Sequence, residues 1–459
     1  MRSLARPAWL AFATFAGGLA ALALARWAWA VTVGGPILYG EGAVAHAAIL
    51  ARDGAEYASY PAPIFVAASY PPLYYHLASL GDPFVWGRLV SIACTLFVAG
   101  AIAWRARRAG VVIAIALSSG WLALAPVAIW GPAVRVDLLA LALTVGAVLA
   151  AERSATRDLW WAVLAGAVVA LAVAAKPTAA LPGLALGLWY LLARRPIGGG
   201  AYATGGIVMT ALVVIATPGG LSAIRRNVID NNTLPWNVEP VLLLAAVALF
   251  VVGVPVVAAL ALRAARGAVA AYLIGAAGIV VLGGREGASI NYLLDLSAAA
   301  TLALASVAPR LAPSALAPAL AAAQLVAGIV LLDPFGAPGR AGTGAWAPAE
   351  RIAVARALPA GPVLAEESGL LVAHGRDPIV DDLFLWSRLA DRGTIDREPL
   401  VQAIREGGFV RVVSETDLEA LDTAPAFERQ RWPAWLAAAV LERYTLDQRA
   451  FGLFVYRPR

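Results

Sequence analysis

Apolar runs about as long as a lipid bilayer is thick recur over the first three quarters of the chain. A transmembrane helix needs about 20 apolar residues, and about eleven runs approach that length. They lie at 7–31, 84–104, 110–130, 133–151, 159–175, 178–193, 200–216, 239–262, 268–283, 290–308 and 312–332. Charged residues make up only 14% of the chain, against about 25% in an ordinary soluble domain. The sequence therefore predicts an all-α polytopic membrane protein with about eleven transmembrane helices.

Arginines mark every second junction between these runs. Arg2 and Arg6 precede the first run, and the later basic junctions contain Arg105, Arg107, Arg108, Arg153, Arg157, Arg194, Arg195, Arg263, Arg266 and Arg310. Cytoplasmic loops carry an excess of basic residues, so we expect a cytoplasmic N-terminus and an outer C-terminal segment. This distribution accounts for the net charge of +6 without a nucleic-acid partner. The Arg- and Ala-rich usage is typical of a bacterial protein, which places the chain in the cytoplasmic membrane.

The composition changes near residue 333. Residues 1–332 form the predicted transmembrane domain with a long first outer loop at 32–83, and residues 333–349 form a Gly- and Pro-rich linker. Residues 350–459 are expected to form a small extracytoplasmic α/β domain. Its predicted strands are Val363–Leu364, Leu370–Ala373, Val410–Val413 and Gly452–Tyr456, and its predicted helices are Leu383–Leu389, Glu398–Ile404 and Ala434–Leu441. Cys94 is the single cysteine, so no intrachain disulfide can form.

Acidic residues are concentrated in the first outer loop. Glu41 stands between Gly40 and Gly42 directly after the first run, where flexible backbone allows close approach to a ligand. A carboxylate at this position could act as a general base toward a hydroxyl group, or it could simply cap the following helix. Asp53 and Glu56 are the alternative carboxylates in the same loop.

Four cations lie near the same predicted membrane face. They are Arg88, Arg135, Lys176 and Arg285, and Lys176 is the only lysine in the chain. Ionisable residues at membrane depth are functional candidates, and together these cations could hold a phosphate group. Individually each could be an interfacial anchor, and Arg135 could pair with Asp137.

Further polar residues on the outer side are candidate substrate-binding residues. They are Asp137, His46, Tyr74, Glu286, Asn291 and Tyr292. The three histidines, His46, His76 and His374, have no HExxH-like spacing, so no metal site is predicted.

Five segments taken in order resemble one family. They are YGEG at 39–42, SYPPLYYHLASL at 69–80 with GRLVS at 87–91, RVDLLALAL at 135–143, KPTAALPGLALGLWYLL at 176–192 and GREGASINYLLDL at 284–296. In this order they resemble the GT-C superfamily of membrane glycosyltransferases, which includes protein O-mannosyltransferases, lipid A aminoarabinose transferases and the bacterial RgtA/B/C/D-like proteins. The resemblance spans roughly residues 1–332 and implies a GT-C-like arrangement of helices.

The resemblance implies an inverting glycosyltransferase. It would move a sugar from a polyprenyl-phosphate-linked donor to a glycan, lipid or protein acceptor of the cell envelope at the outer face of the membrane. Glu41 matches the acidic residue that the family places in its first outer loop. Many relatives carry an acidic pair there, whereas Gly40 precedes Glu41, so dependence on a divalent cation stays open. A transporter of lipid-linked sugar or polymer and a non-catalytic envelope-assembly protein are the alternatives.

Overall fold

The computed structural model describes residues 2–154, 158–335 and 347–459, so Arg157 and residues 336–346 of the predicted linker lie outside the described residues. The described chain up to residue 335 is mostly helical. Its helices are α1 Arg2–Thr32, α2 Glu41–Leu50, α3 Leu73–Ala78, α4 Pro83–Ala106, α5 Val111–Leu122, α6 Ala125–Trp130, α7 Asp137–Ser154, α8 Trp160–Ala175, α9 Ala180–Leu192, α10 Pro196–Ala216, α11 Gly220–Ile224, α12 Val238–Val251, α13 Gly253–Ala261, α14 Gly267–Leu282, α15 Leu294–Ser306, α16 Ala308–Leu311 and α17 Leu316–Leu332. Short 3-10 turns at Ala51–Asp53, Arg107–Ala109, Pro177–Ala179, Asp230–Asn232 and Ile290–Leu293, and a π-helical turn at Arg225–Ile229, join some of them.

Several apolar runs are broken rather than continuous helices. In the described part of the chain, three helices (α1, α4 and α10) are long and apolar enough to cross a membrane. The pair α12 and α13, bent by 81°, would make a fourth span, and six further apolar helices are shorter. The run at 110–130 divides at Leu124, whose backbone is extended just before Pro126 in the first turn of α6. Proline is favoured in the first turn of a helix, so it starts a new helix there and shortens the preceding one.

Helix α2 of the first loop is enclosed on both sides. Eight of its ten residues are buried, because it packs against α3 and α4 on one side and against the C-terminal part of the chain (residues 347–459) on the other. A Cβ added at Gly42 would lie 2.0 Å from the backbone nitrogen of Gly369. Only a residue without a side chain allows the two backbones to approach this closely.

The C-terminal part contains one four-stranded sheet. Its strands are β1 Val363–Ala365, β2 Arg411–Ser414, β3 Tyr444–Ala450 and β4 Leu453–Pro458, in the order β1-β2-β4-β3. The pair β1 and β2 is parallel, and the other two pairs are antiparallel. The helices are α18 Pro348–Arg356, α19 Gly369–Val372, α20 Leu383–Asp391, α21 Glu398–Arg405, α22 Ala426–Arg431 and α23 Ala434–Arg443. Trp432, Leu436 and Tyr456 are fully buried in a core between sheet and helices.

Two details of this part differ from the sequence prediction. Leu370–Ala373 was predicted as a strand, but Gly369–Val372 is helix α19. A short apolar run fits a buried helix as well as a strand, so its periodicity cannot decide between them. The strand β3 was not predicted, because its central residues are polar and exposed, as is common for a strand at the edge of a sheet.

The first loop and the C-terminal part are joined by buried polar contacts. Glu367 accepts hydrogen bonds from the backbone N–H groups of Gly40 (2.8 Å) and Gly42 (3.2 Å). The N–H of Phe65 donates to the carbonyl of Ile379 at 2.8 Å, within a short parallel β-bridge. The C-terminal part therefore contacts the same end of the helical bundle as the first loop.

Candidate functional site

A cavity of about 200 Å³ lies where the first loop, three helix junctions and the C-terminal part meet. The first loop, the segment before α7, the segment after α8, the segment between α14 and α15, and the start of α20 all contribute to its wall. Its polar lining residues include Tyr39, Ser69, Tyr70, Arg135, Lys176, Asn232, Arg285, Glu286, Asn291, Tyr292 and Asp382. Six of the residues predicted for the site, Arg135, Lys176, Arg285, Glu286, Asn291 and Tyr292, thus line one cavity.

Lys176 follows the last residue of α8, where Pro177 prevents the helix from continuing. Its ammonium is buried, lies 2.6 Å from Oδ1 of Asp137 and sits 4.6 Å from the centre of the Tyr292 ring. The amide of Asn291 donates to the same Asp137 oxygen at 2.7 Å. An ammonium carries three donors, so the bond to Asp137 leaves donors for a ligand in the cavity.

The other two cations at the cavity, Arg135 and Arg285, form no ion pair with an acidic side chain of the described residues. Nη1 of Arg135 donates to the carbonyl of Gly40 at 3.2 Å, and Nη2 of Arg285 donates to the amide oxygen of Asn232. Nε of Arg285 is buried without a hydrogen-bond partner. Within the described ranges, no carboxylate forms an ion pair with either guanidinium. Guanidinium groups that form no direct ion pair with a carboxylate leave donors for an anionic ligand in the cavity.

Among the described residues, two carboxylates line the cavity, those of Glu286 and Asp382, and they differ in their hydrogen-bond partners. Glu286 accepts both Nε (2.9 Å) and Nη2 (3.0 Å) of Arg388, so this pair also fastens the segment before α15 to α20. Oδ1 of Asp382 accepts the N–H of Leu385 (3.0 Å) and the hydroxyl of Tyr39 (3.3 Å). Burial raises the pKa of Asp382, because removal of the carboxylate from water disfavours its charged form.

Asp382 is a cavity residue that the sequence analysis did not predict. Its signal was an aspartate directly before the apolar residues of α20, which is typical of a helix N-cap. The N-cap role is present, since Asp382 binds the N–H of Leu385. That the capped helix end faces a cavity of the helical bundle depends on how the C-terminal part docks, which no local pattern encodes.

Glu41 does not line the cavity but lies fully buried beside it. Its Oε2 accepts the N–H of Ile37 (2.7 Å) and Nη2 of Arg88 (3.0 Å), and its Oε1 accepts the N–H of Val134 (2.8 Å). Both oxygens are therefore engaged inside the protein. This placement favours a structural role for Glu41 over the general-base role suggested by its position in the sequence.

Arg88 is likewise buried and does not line the cavity. Its guanidinium donates to the carbonyls of Ala30 (3.0 Å), Val33 (2.5 Å) and Gly35 (2.6 Å) in addition to Glu41. These bonds fix the chain as it leaves α1. The geometry therefore separates Arg88 from the three cations that could contact a phosphate.

The remaining predicted residues of the first loop lie outside the cavity lining. His46 is buried, and its Nδ1 lies 3.0 Å from Oδ2 of Asp381, so it joins α2 to the C-terminal part. The Tyr74 hydroxyl donates to the carbonyl of Gly87 at 3.0 Å, inside the protein. Asp53 is exposed, whereas Glu56 is buried and 3.7 Å from Nε2 of His76. None of these contacts reaches the cavity.

No group of three or more His, Cys, Asp or Glu side chains in the described residues is arranged to hold a metal ion.

The chain is similar to two solved structures over almost its whole length. Crystal structures of ArnT from Cupriavidus metallidurans, one bound to undecaprenyl phosphate and one in the apo state, match with TM-scores of 0.58 and 0.57. The identities are 14% and 13%, and in both cases 96% of this chain and 98% of the other are covered. ArnT is a lipid A aminoarabinose transferase of the GT-C superfamily. The chain therefore has the fold of these two structures.

The GT-C resemblance seen in the sequence is thus confirmed at the level of the fold. The likeness extends beyond residues 1–332, because 96% coverage includes most of the C-terminal part. No family model matches the sequence, and no curated protein matches it.

Proposed function

We propose that this protein is an inverting glycosyltransferase that uses a polyprenyl-phosphate-linked sugar. The acceptor would be a glycolipid, polysaccharide or protein of the cell envelope, and transfer would take place at the outer face of the bacterial cytoplasmic membrane. The observation that carries the proposal is a cavity lined by three cations, of which only Lys176 forms an ion pair within the described residues, in a chain with the GT-C fold. A structure of the same fold binds undecaprenyl phosphate.

In this proposal Arg135, Lys176 and Arg285 hold the donor phosphate. The three cations come from separate helix junctions and line one cavity. A lipid phosphate lies near the membrane surface, which is where loops between apolar helices also lie. As the sugar leaves, negative charge builds on the phosphate oxygen, and fixed cations stabilise that charge without having to reorganise.

The proposed reaction is a single displacement at the anomeric carbon. The acceptor oxygen forms a bond to that carbon, and the bond from the carbon to the phosphate oxygen breaks with its electron pair. The acceptor proton passes to a carboxylate base, and the polyprenyl phosphate leaves. Attack from the face opposite to the phosphate inverts the anomeric configuration, as in inverting glycosidases.

A transporter of lipid-linked sugar would need polar groups along a path through the bundle. A second cavity, of about 610 Å³, lies between α1, α5, α12, α13, α15 and α17. Its lining contains no ionisable side chain among the described residues, and its polar side chains are those of Thr301, Ser314, Gln324 and the two tryptophans Trp9 and Trp121. This lining favours transfer at one face over transport.

The proposal includes the predicted organisation and topology. Residues 1–332 would form the transmembrane domain, 333–349 the linker and 350–459 an extracytoplasmic domain. The N-terminus would be cytoplasmic, so the cavity would open to the outer face.

The test is transfer by the purified chain in proteoliposomes that contain undecaprenyl-phosphate-linked hexoses or pentoses and envelope acceptors. We expect sugar transfer with release of undecaprenyl phosphate. Arg135→Gln and Arg285→Gln should each lower turnover by about 10²- to 10³-fold, which is the usual loss for one group that stabilises developing charge. Arg225→Gln is the matched control, since Arg225 is exposed and lies outside the cavity. Equal losses in all three variants would contradict the assignment.

A further inference from the structure

The cavity needs a carboxylate that can accept a proton, and the first loop does not supply it. Gly40 lines the cavity at the place where the loop approaches Arg135, but it has no side chain. Its φ of +78° suits glycine, and a Cβ there would lie 3.0 Å from Nη1 of Arg135. The neighbouring Glu41 points away into a closed set of hydrogen bonds. A base must therefore come from another segment.

Among the described residues that line the cavity, only Glu286 and Asp382 are carboxylates. Both oxygens of Glu286 accept hydrogen bonds from Arg388. A carboxylate held in this way is a weak base, because protonation would break a bidentate ion pair. Asp382 uses only Oδ1 for its bonds to Leu385 and Tyr39. In the described part of the chain no hydrogen bond engages its Oδ2.

We propose that Asp382, at the start of α20, is the general base that deprotonates the acceptor hydroxyl. The proposal rests on the proposed function and assigns one of its steps to the C-terminal part of the chain. As the acceptor oxygen bonds to the anomeric carbon, its proton moves to Oδ2 of Asp382. The electron pair of the cleaved bond stays with the phosphate, which the cations hold.

The surroundings of Asp382 suit this role. The N-cap bond to Leu385 and the bond to Tyr39 fix the orientation of the carboxylate, which a base needs in order to reach its proton. Its titratable and charged neighbours are Asp381, Arg135 and Tyr39. Burial, followed by the charge of Asp381, raises the pKa of Asp382, whereas the N–H of Leu385, Arg135 and Tyr39 oppose the rise. A raised pKa makes a carboxylate a stronger base.

The first arm of the test compares Asp382→Asn with Asp82→Asn in proteoliposomes. Asparagine keeps an N-cap acceptor, so the Asp382→Asn variant should fold and bind undecaprenyl phosphate like the wild type. Its turnover should fall by about 10²- to 10⁴-fold, the usual contribution of a general base. Asp82 caps α4 through Phe84 and Val85 and lies outside the cavity. Asp82→Asn makes the same chemical change at an exposed residue. Its turnover should stay within about threefold of the wild type, because a surface substitution outside the cavity has little effect on stability.

The second arm is the pH profile of the wild type. Transfer should fall as the pH drops through the raised pKa of Asp382, and the residual rate of Asp382→Asn should lack this limb. Normal turnover by Asp382→Asn, or a wild-type profile without an acid limb, would overturn the assignment of the base alone. Absence of transfer by the wild type, with no binding of undecaprenyl phosphate, would overturn the proposed function and the base together.

Discussion

Replacing Glu41 by glutamine distinguishes a structural pair from a catalytic base. Glu41 and Arg88 are both 0% exposed, and the variant leaves the guanidinium of Arg88 without a counter-charge. Breaking one member of a buried ion pair costs about 3–5 kcal/mol. Glutamine can replace some of the hydrogen bonds of Glu41, so we expect the free energy of unfolding to fall by about 3 kcal/mol, the lower end of this range.

The matched control is Glu152→Gln. Glu152 forms a bidentate pair with Arg105, but their side chains are 28% and 17% exposed. Water and salt screen such a pair, so its loss should cost about 1 kcal/mol or less. Both variants make the same chemical change, and they differ in burial.

The assay is thermal unfolding of the purified variants in nanodiscs, followed by turnover per folded molecule. We expect Glu41→Gln to unfold several degrees below the wild type, and Glu152→Gln to unfold close to it. The folded fraction of Glu41→Gln should retain transfer within about tenfold of the wild type, because the side chain of Glu41 does not reach the cavity. Loss of the general base would instead lower the transfer rate by about 10²- to 10⁴-fold. A Glu41→Gln variant with wild-type stability and no transfer would refute this reasoning and make Glu41 the base.

Two further predictions concern the contact between the first loop and the C-terminal part. Gly42→Ala should lower the unfolding midpoint, because its Cβ would clash with the backbone of Gly369; Gly17→Ala, with open space around its Cβ, should not lower it, and equal midpoints would contradict the close packing. His46→Ala should lower the free energy of unfolding by about 1–3 kcal/mol, because buried Asp381 loses a hydrogen-bond partner. Proteolysis between residues 366 and 382 should become faster in this variant. Wild-type proteolysis rates in His46→Ala would show that the contact does not hold the two parts together.

The helical part of the site could be predicted from the sequence to a useful extent. Arg135, Lys176 and Arg285 occur at junctions between apolar runs, and the alternation of basic junctions placed all three on one side. The structure brings them to one cavity. Long apolar runs and charge placement are strong signals in membrane proteins, because the bilayer penalises polar groups in its core.

The role of the first loop could not be predicted in the same way. The glycines that flank Glu41 suggested that its carboxylate could reach a ligand. In the structure the carboxylate instead binds Arg88, 47 positions later, and the backbone N–H of Val134. Asp382 was overlooked because it lies in a separate part of the chain. Both outcomes depend on tertiary contacts between distant segments, which local patterns do not encode.

The most direct test of the central claim compares the binding of undecaprenyl phosphate with that of undecaprenol. The two lipids share their chain and differ by the phosphate, so the difference in affinity reports on the cations of the cavity. We expect the wild type to bind the phosphate at least about tenfold more tightly, the equivalent of one charge-assisted hydrogen bond of about 1.5–3 kcal/mol. This preference should fall in the Arg135→Gln/Arg285→Gln double variant, in which Lys176 is the remaining cation of the three. Equal binding of the two lipids by the wild type would contradict the account.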